Sequence, residues 1–165
     1  MKIIKFLLTI FALLLFSNCG YEPIYSATNK NTDEFLYIKV KNIEDRSGQI
    51  LKNELSKQLN PENKSSLTKY YLLVKIGEVK ESLAYRKDMS ATRTNLKITA
   101  KYSLRGIKNS DKIFESTAES ISSYDIVESI YATIIAEKDA RQKALRIISD
   151  TIVNELAIFF NNKKF

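Results

Sequence analysis

A chain of 165 residues with 44% hydrophobic content is long enough to bury one domain's core, and that content excludes a disordered polar tail. Charge runs to +7, from 26 Lys+Arg against 19 Asp+Glu. With no His, one Cys and no Trp, imidazole chemistry, a disulfide framework and a multi-cysteine metal site are all excluded.

The chain opens with a basic stretch, Met1–Lys5, followed by the apolar run FLLTIFALLLF at Phe6–Phe16, in which only Thr9 is polar. Those eleven residues fall short of the ~20 that span a bilayer as a helix. A basic start and a short apolar run describe an export signal. The only cysteine, Cys19, follows Ser17-Asn18 where the run ends, as in a bacterial lipobox. This predicts cleavage before Cys19 and acylation of its sulfur and of its new amine, with each buried methylene contributing ~0.8 kcal/mol. A plain secretory signal with an incidental Cys19 is the alternative. Gly20 and Tyr21 carry no acidic inner-membrane retention signal, which favours the outer membrane. The expected organisation is a signal peptide at 1–18, a lipid-anchored tether at 19–34 and one periplasmic domain at 35–165.

Phe35–Val40, FLYIKV, reads as the first strand. Ser47 is the expected N-cap of a helix with its stripe at Leu51, Leu55 and Leu59, and Asn60-Pro61 stops it. Tyr70–Lys80 reads as the second strand, with Tyr70, Leu72, Val74 and Ile76 on one face. Thr94–Arg105 is the third, its apolar positions 96, 98, 100, 102 and 104 alternating with Lys97, Thr99, Lys101, Ser103 and Arg105. After a connection at Gly106–Asp111, Lys112–Tyr124 forms the fourth, whose Ser116, Ala118 and Ser120 suit a closely packed helix. The last helix runs from about Ile130 to Phe160 with a stripe at Ile134, Ala140, Ala144, Ile148, Ile152, Leu156 and Phe159. At 1.5 Å per residue it measures ~45 Å, longer than most sheets, so a break is expected near Ser129–Thr133. The order β-α-β-β-β-α gives an α+β, two-layer sandwich: two helices on one face of a four-stranded mixed sheet, the other face polar. Strand order is left open.

Catalytic chemistry finds no constellation. The carboxylate pairs Glu44-Asp45 and Glu137/Asp139 read as solvated surface, and no motif supports a Ser/Lys dyad. No enzyme activity, cofactor or metal is expected. The candidate binding site is the connection SLAYRKDMSATRT at Ser82–Thr94, which holds Arg86, Lys87 and Arg93 against one acid, Asp88. Guanidinium groups on a loop at a sheet's end can grip phosphates. Ordinary solvated charge, or pairing of Asp88 with Arg86 or Arg93, accounts for the same residues. An exported, lipid-anchored chain is a poor match for nucleic acid despite its charge.

Several segments together resemble a known family. Cys19-Gly20-Tyr21-Glu22-Pro23-Ile24-Tyr25 is similar to the mature start of the LptE family of lipopolysaccharide-assembly lipoproteins. Asp45-Arg46-Ser47-Gly48-Gln49 matches its first helix opening, and Arg86, Asp88, Ala91-Thr92-Arg93 and Asn95-Leu96 match its R-x-D-x-x-A-T-R-x-N-L stretch. Ser123-Tyr124-Asp125 and Ala136-Glu137-Lys138-Asp139-Ala140-Arg141 match two further segments. The resemblance covers essentially the whole mature chain, lacking the longer C-terminal tail of some members. It implies an outer-membrane lipoprotein on the periplasmic side that plugs and helps assemble the β-barrel LptD and binds lipopolysaccharide. It also implies lipid A phosphates as the anion for Arg86, Lys87 and Arg93. An adaptor lipoprotein of another envelope machine and a lipoprotein hydrolase with an unrecognised site are the other classes open.

Overall fold

The computed structural model describes residues 34–61, 68–85, 91–107 and 111–163. The expected signal peptide and all but the last residue of the expected tether lie outside them, as do Arg86 and Lys87. The elements are β1 (Ile38–Val40), α1 (Asp45–Leu59), β2 (Tyr70–Tyr85), β3 (Ala91–Gly106), β4 (Lys112–Asp125) and α2 (Ile130–Asn162). The fold is α+β: a four-stranded mixed sheet in the order β1-β2-β3-β4, with β1 parallel to β2 and the other pairs antiparallel.

Alternation in the strands sets the two layers. Leu96, Ile98, Ala100, Tyr102 and Leu104 are all buried, and so are Leu72 and Val74. Helix α1 meets them with Leu51, Leu55 and Leu59, and α2 with Ala140, Ala144, Ile148, Ile152 and Leu156. Burying each large side chain contributes about 1.5–3 kcal/mol. Ala100 and Ala118 stand in register on β3 and β4, and their small side chains let α2 come close to the sheet. Phe114, Phe159, Phe160, Phe35 and Tyr70 form an aromatic chain with centroid separations of 4.9–6.2 Å that closes one end of the sandwich. In that chain Phe159 is only half-buried.

Four boundaries differ from the sequence expectation. The first strand is confined to Ile38–Val40, because Glu34–Tyr37 form a turn closed by the Tyr37 N–H donating to the Glu34 carbonyl at 3.2 Å. Phe35 thereby leaves the strand and packs against Phe160, 6.2 Å away. Helix α1 starts at Asp45 with Glu44 as N-cap, and Ser47 sits inside the helix, donating to Glu78 at 3.3 Å. Gly48 is obligatory there, since a Cβ would lie 2.7 Å from Ile43 Cγ2. Strands β2 and β3 each run to 16 residues, past Lys80 and back to Ala91. At ~3.3 Å per residue they reach about 50 Å. That length supports α2, whose 33 residues also span about 50 Å, and the helix is continuous where a break was expected.

Helix α1, with 15 residues, covers less than half of that length. Beside its N-terminus a groove of about 1120 Å³ opens over β2, walled by Ile43, Ile50, Val74, Ile76, Ile134 and Arg141.

Candidate functional site

The β2–β3 hairpin and the N-terminus of α2 meet at the end of the sandwich opposite the aromatic chain. Pairing of Ala84 with Arg93 and Tyr85 with Ala91 shortens the connection to 86–90, with register shifts between Ser82 and Tyr85. Arg93 therefore lies in β3, not in the loop expected from the sequence. It stands opposite Asp125 of β4, its Nε 3.9 Å from the carboxylate, and both side chains are exposed. Among the described residues the acid near Arg93 is thus on the neighbouring strand; Asp88, the partner considered from sequence, lies outside them. Of the three cations singled out in the sequence, Arg93 alone falls among the described residues.

The chain turns from β4 into α2 through a compact set of hydrogen bonds. The Ile126 N–H donates to the Thr92 carbonyl at 2.9 Å. Thr133 Oγ1 accepts from the Val127 N–H at 3.1 Å and donates to the Val127 carbonyl at 3.3 Å. Ser129 caps the helix by accepting from the Ala132 N–H at 3.3 Å, satisfying a donor the helix leaves free. This first stretch of α2 projects large apolar side chains into solvent: Ile130 is 78% exposed, Tyr131 75% and Ile134 58%. Ile135, Val127 and Leu83 are exposed as well. Ile134 thus leaves the core stripe assigned to it from sequence, a correction to that expectation. The helix has passed the end of its partner α1, so among the described residues that turn has a neighbour on one side only.

Behind the apolar turn lies an ion-pair network that the sequence reading missed. Arg141 Nη2 donates to Glu137 at 2.6 Å and to Glu78 at 2.8 Å, while its Nε reaches Glu78 at 3.1 Å. Lys80 donates to Glu137 at 2.8 Å and Tyr124 donates to Glu137 at 3.3 Å. The Arg141 hydrogen bond leads in holding the Glu78 carboxyl below the usual range. Burial pushes Glu137 up, but bonds from Lys80 and Arg141 outweigh it and the carboxyl ends up low. Hydrogen bonding to Glu78 first, then to Glu137, raises Arg141. All three groups are therefore charged at neutral pH and fix α2 to β2. They are saturated by one another, which suits a strut holding the hairpin end and not an acid–base pair.

Known proteins place this architecture. The structure is similar to a chain from Caulobacter crescentus CB15 described as a lipoprotein, with 23% identity over 83% of this chain and 99% of that one and a TM-score of 0.69. Rare lipoprotein B from Shewanella oneidensis matches with a TM-score of 0.57 at 8% identity, over 78% of this chain and 97% of that one. A minor lipoprotein from Acinetobacter baumannii matches with a TM-score of 0.56 at 13% identity, over 74% and 92%. These likenesses show the fold. No curated protein matches the chain. The family model for LptE, lipopolysaccharide-assembly, matches residues 35–157, which run from the turn before β1 almost to the end of α2. On that span, three quarters of the sequence, the chain belongs to the LptE lipopolysaccharide-assembly family.

Proposed function

We propose that the protein is an outer-membrane lipoprotein, anchored through acylated Cys19 on the periplasmic side, that plugs and helps assemble the β-barrel LptD and binds lipopolysaccharide on its way to the surface. The family match over residues 35–157 carries this reading. Lipopolysaccharide joins phosphates to acyl chains, and the hairpin end offers a counterpart to each. Arg86, Lys87 and Arg93 supply charge for the lipid A phosphates, while Ile130, Tyr131 and Ile134, exposed on α2 at the same end of the sandwich as Arg93, supply an apolar surface. No covalent step is involved, and no cofactor takes part. Arg93 has a competing partner in Asp125, across an exposed pair 3.9 Å apart.

The test is lipopolysaccharide binding by an Arg86→Asp, Lys87→Asp variant whose fold is checked by circular dichroism. Charged hydrogen bonds contribute ~1.5–3 kcal/mol each, so losing two weakens binding about 100-fold or more. Arg93→Ala produces a smaller loss, because Asp125 already screens that charge. The variant still co-purifies with the barrel. Equal affinity for variant and parent rules the loop out as the phosphate site.

A further inference from the structure

The sheet face away from the helices carries charge that the fold itself does not answer. Alternation puts Lys39, Lys41, Lys75, Lys101 and Arg105 on it, since their neighbours Val40, Val74, Tyr102 and Leu104 are buried under the helices. All five cations are exposed, and among the described residues none forms an ion pair. Register sets Lys75 directly opposite Lys101, and Tyr71 opposite Arg105. Lys41 Nζ stands 3.8 Å from the Tyr71 ring centroid. The acids of β4 on this face are already held, Glu115 by Lys112 at 2.6 Å and Glu119 by Lys97 at 3.1 Å. Like charges directly opposite in a sheet oppose folding, so folding gives no reason for the Lys75–Lys101 pair.

Apolar side chains interrupt the charge. Leu73, Val79 and Ile121 stand on the same face, 37%, 54% and 59% exposed, and register sets Val79 and Ile121 on either side of Lys97. Between them and the Lys75–Lys101 row, a side chain at Gly77 would meet only open space. A second copy of this chain is a poor occupant, because it sets five cations against five. The occupant has to bring carboxylates, on a surface that a sheet can lie against. The lumen side of a β-barrel wall is such a surface: its strands turn every second side chain inward, and that side is polar. Inward side chains there repeat at ~6.6 Å along a strand and ~4.8 Å between strands, the spacing that also separates the outward side chains of β2 and β3. Two sheets face to face can therefore set carboxylates against these cations row by row.

We propose that the open sheet face is the surface this domain lays against the inner wall of its barrel, with Lys39, Lys41, Lys75, Lys101 and Arg105 meeting carboxylates of that wall and Leu73, Val79 and Ile121 packing between them. This rests on the plug reading, and the two are tested apart. The cations lie in the half of the sheet away from the β2–β3 turn. Docking through them leaves the hairpin end open to lipopolysaccharide.

Lys75→Glu separates docking from folding, because it turns a like-charge cross-strand pair into an opposite-charge one. Its melting temperature should hold or rise. The full-length variant and parent are co-expressed, the LptD complex is purified in mild detergent, and mass spectrometry reads the ratio of the two chains bound. Breaking a charge pair across an interface weakens it by a factor of about 30 or more, so the variant's share falls about 30-fold below the parent's. Raised salt narrows that gap. Lys143→Glu makes the same change in net charge on α2, where Lys143 pairs with Asp139, and competes equally with the parent. Lys101→Glu repeats the test from β3. Equal shares for the Lys75 variant and the parent overturn the proposal, as does an equal loss in the Lys143 variant. So does a Lys75 variant that keeps its barrel but loses binding to phosphatidylglycerol vesicles, which marks the face as a lipid contact. A parent that carries no barrel through purification refutes the plug reading and the proposal with it, whereas a parent matched by its Lys75 variant on the barrel refutes the face alone.

Discussion

Glu137 shows how one side chain acquires a role from its register partners. Two residues from Asp139 on a helix, it shares no face with that acid, and its solvated reading followed from the local sequence. Its spacing to Arg141, four residues on, was legible as a helical ion pair. What the sequence could not display is that Glu78 and Lys80 alternate onto the helix-facing side of β2 at the same level. The consequence is a pH dependence. Glu78 and Glu137 are held low in the folded protein, so their stabilisation is present above the unfolded carboxylate range and is lost as pH falls through the folded values. A Glu78→Gln, Glu137→Gln double variant should lose about 1–2 kcal/mol at neutral pH. Its melting temperature should also fall less steeply than the parent's on acidification below pH ~4.3. Melting followed by circular dichroism across that range checks both. Arg93 teaches the same lesson, for its acid lies across a β3–β4 pairing that no local pattern announces.

At the scale of elements, period-2 and helical stripes carried most of the information. The third strand and the α1 stripe at Leu51, Leu55 and Leu59 are buried as their spacing requires. The ends of elements were harder. Ser82–Tyr85 and Ala91–Arg93 hold small and polar residues that read as loop, yet ladder hydrogen bonds carry the hairpin through them and a bulge absorbs the irregularity. That extension removes the reason for a broken α2. It also explains why Ile134 parts company with its stripe: the helix follows the long hairpin beyond α1. Ile148→Ala should therefore destabilise the protein by ~2–5 kcal/mol, as deletion of a fully buried side chain does. Ile134→Ala should stay within about 0.5 kcal/mol. Urea unfolding midpoints of the two variants separate them. Beyond Leu72, β2 has no neighbouring strand on its outer side among the described residues, and Lys75, Glu78, Lys80 and Glu81 with the bulge guard that edge against strand addition.

The whole molecule has two unlike ends. One receives the chain from its N-terminal segment and is closed by aromatic rings, with the cationic part of the open face beside it. The other carries the hairpin turn, Arg93 and the exposed apolar turn of α2. The two-layer arrangement was legible from one-sided patterning in every element. The strand order was not, because a parallel or an antiparallel place for β1 satisfies the same alternation. Its actual place has a consequence for how the fold breathes. Strand β1 joins the sheet through three residues, whereas β2 and β3 are laced together along most of their length. Fraying of β1 sacrifices a short parallel ladder and leaves the β2–β3–β4 meander, α2 and the buried α1 stripe at Leu51, Leu55 and Leu59 assembled. Protein stability is distributed in such cooperative units. In hydrogen–deuterium exchange the amides of Lys39–Lys41 should take up label well before those of Ile98–Leu104, so β1 serves as a detachable edge on a persistent hairpin-and-helix frame.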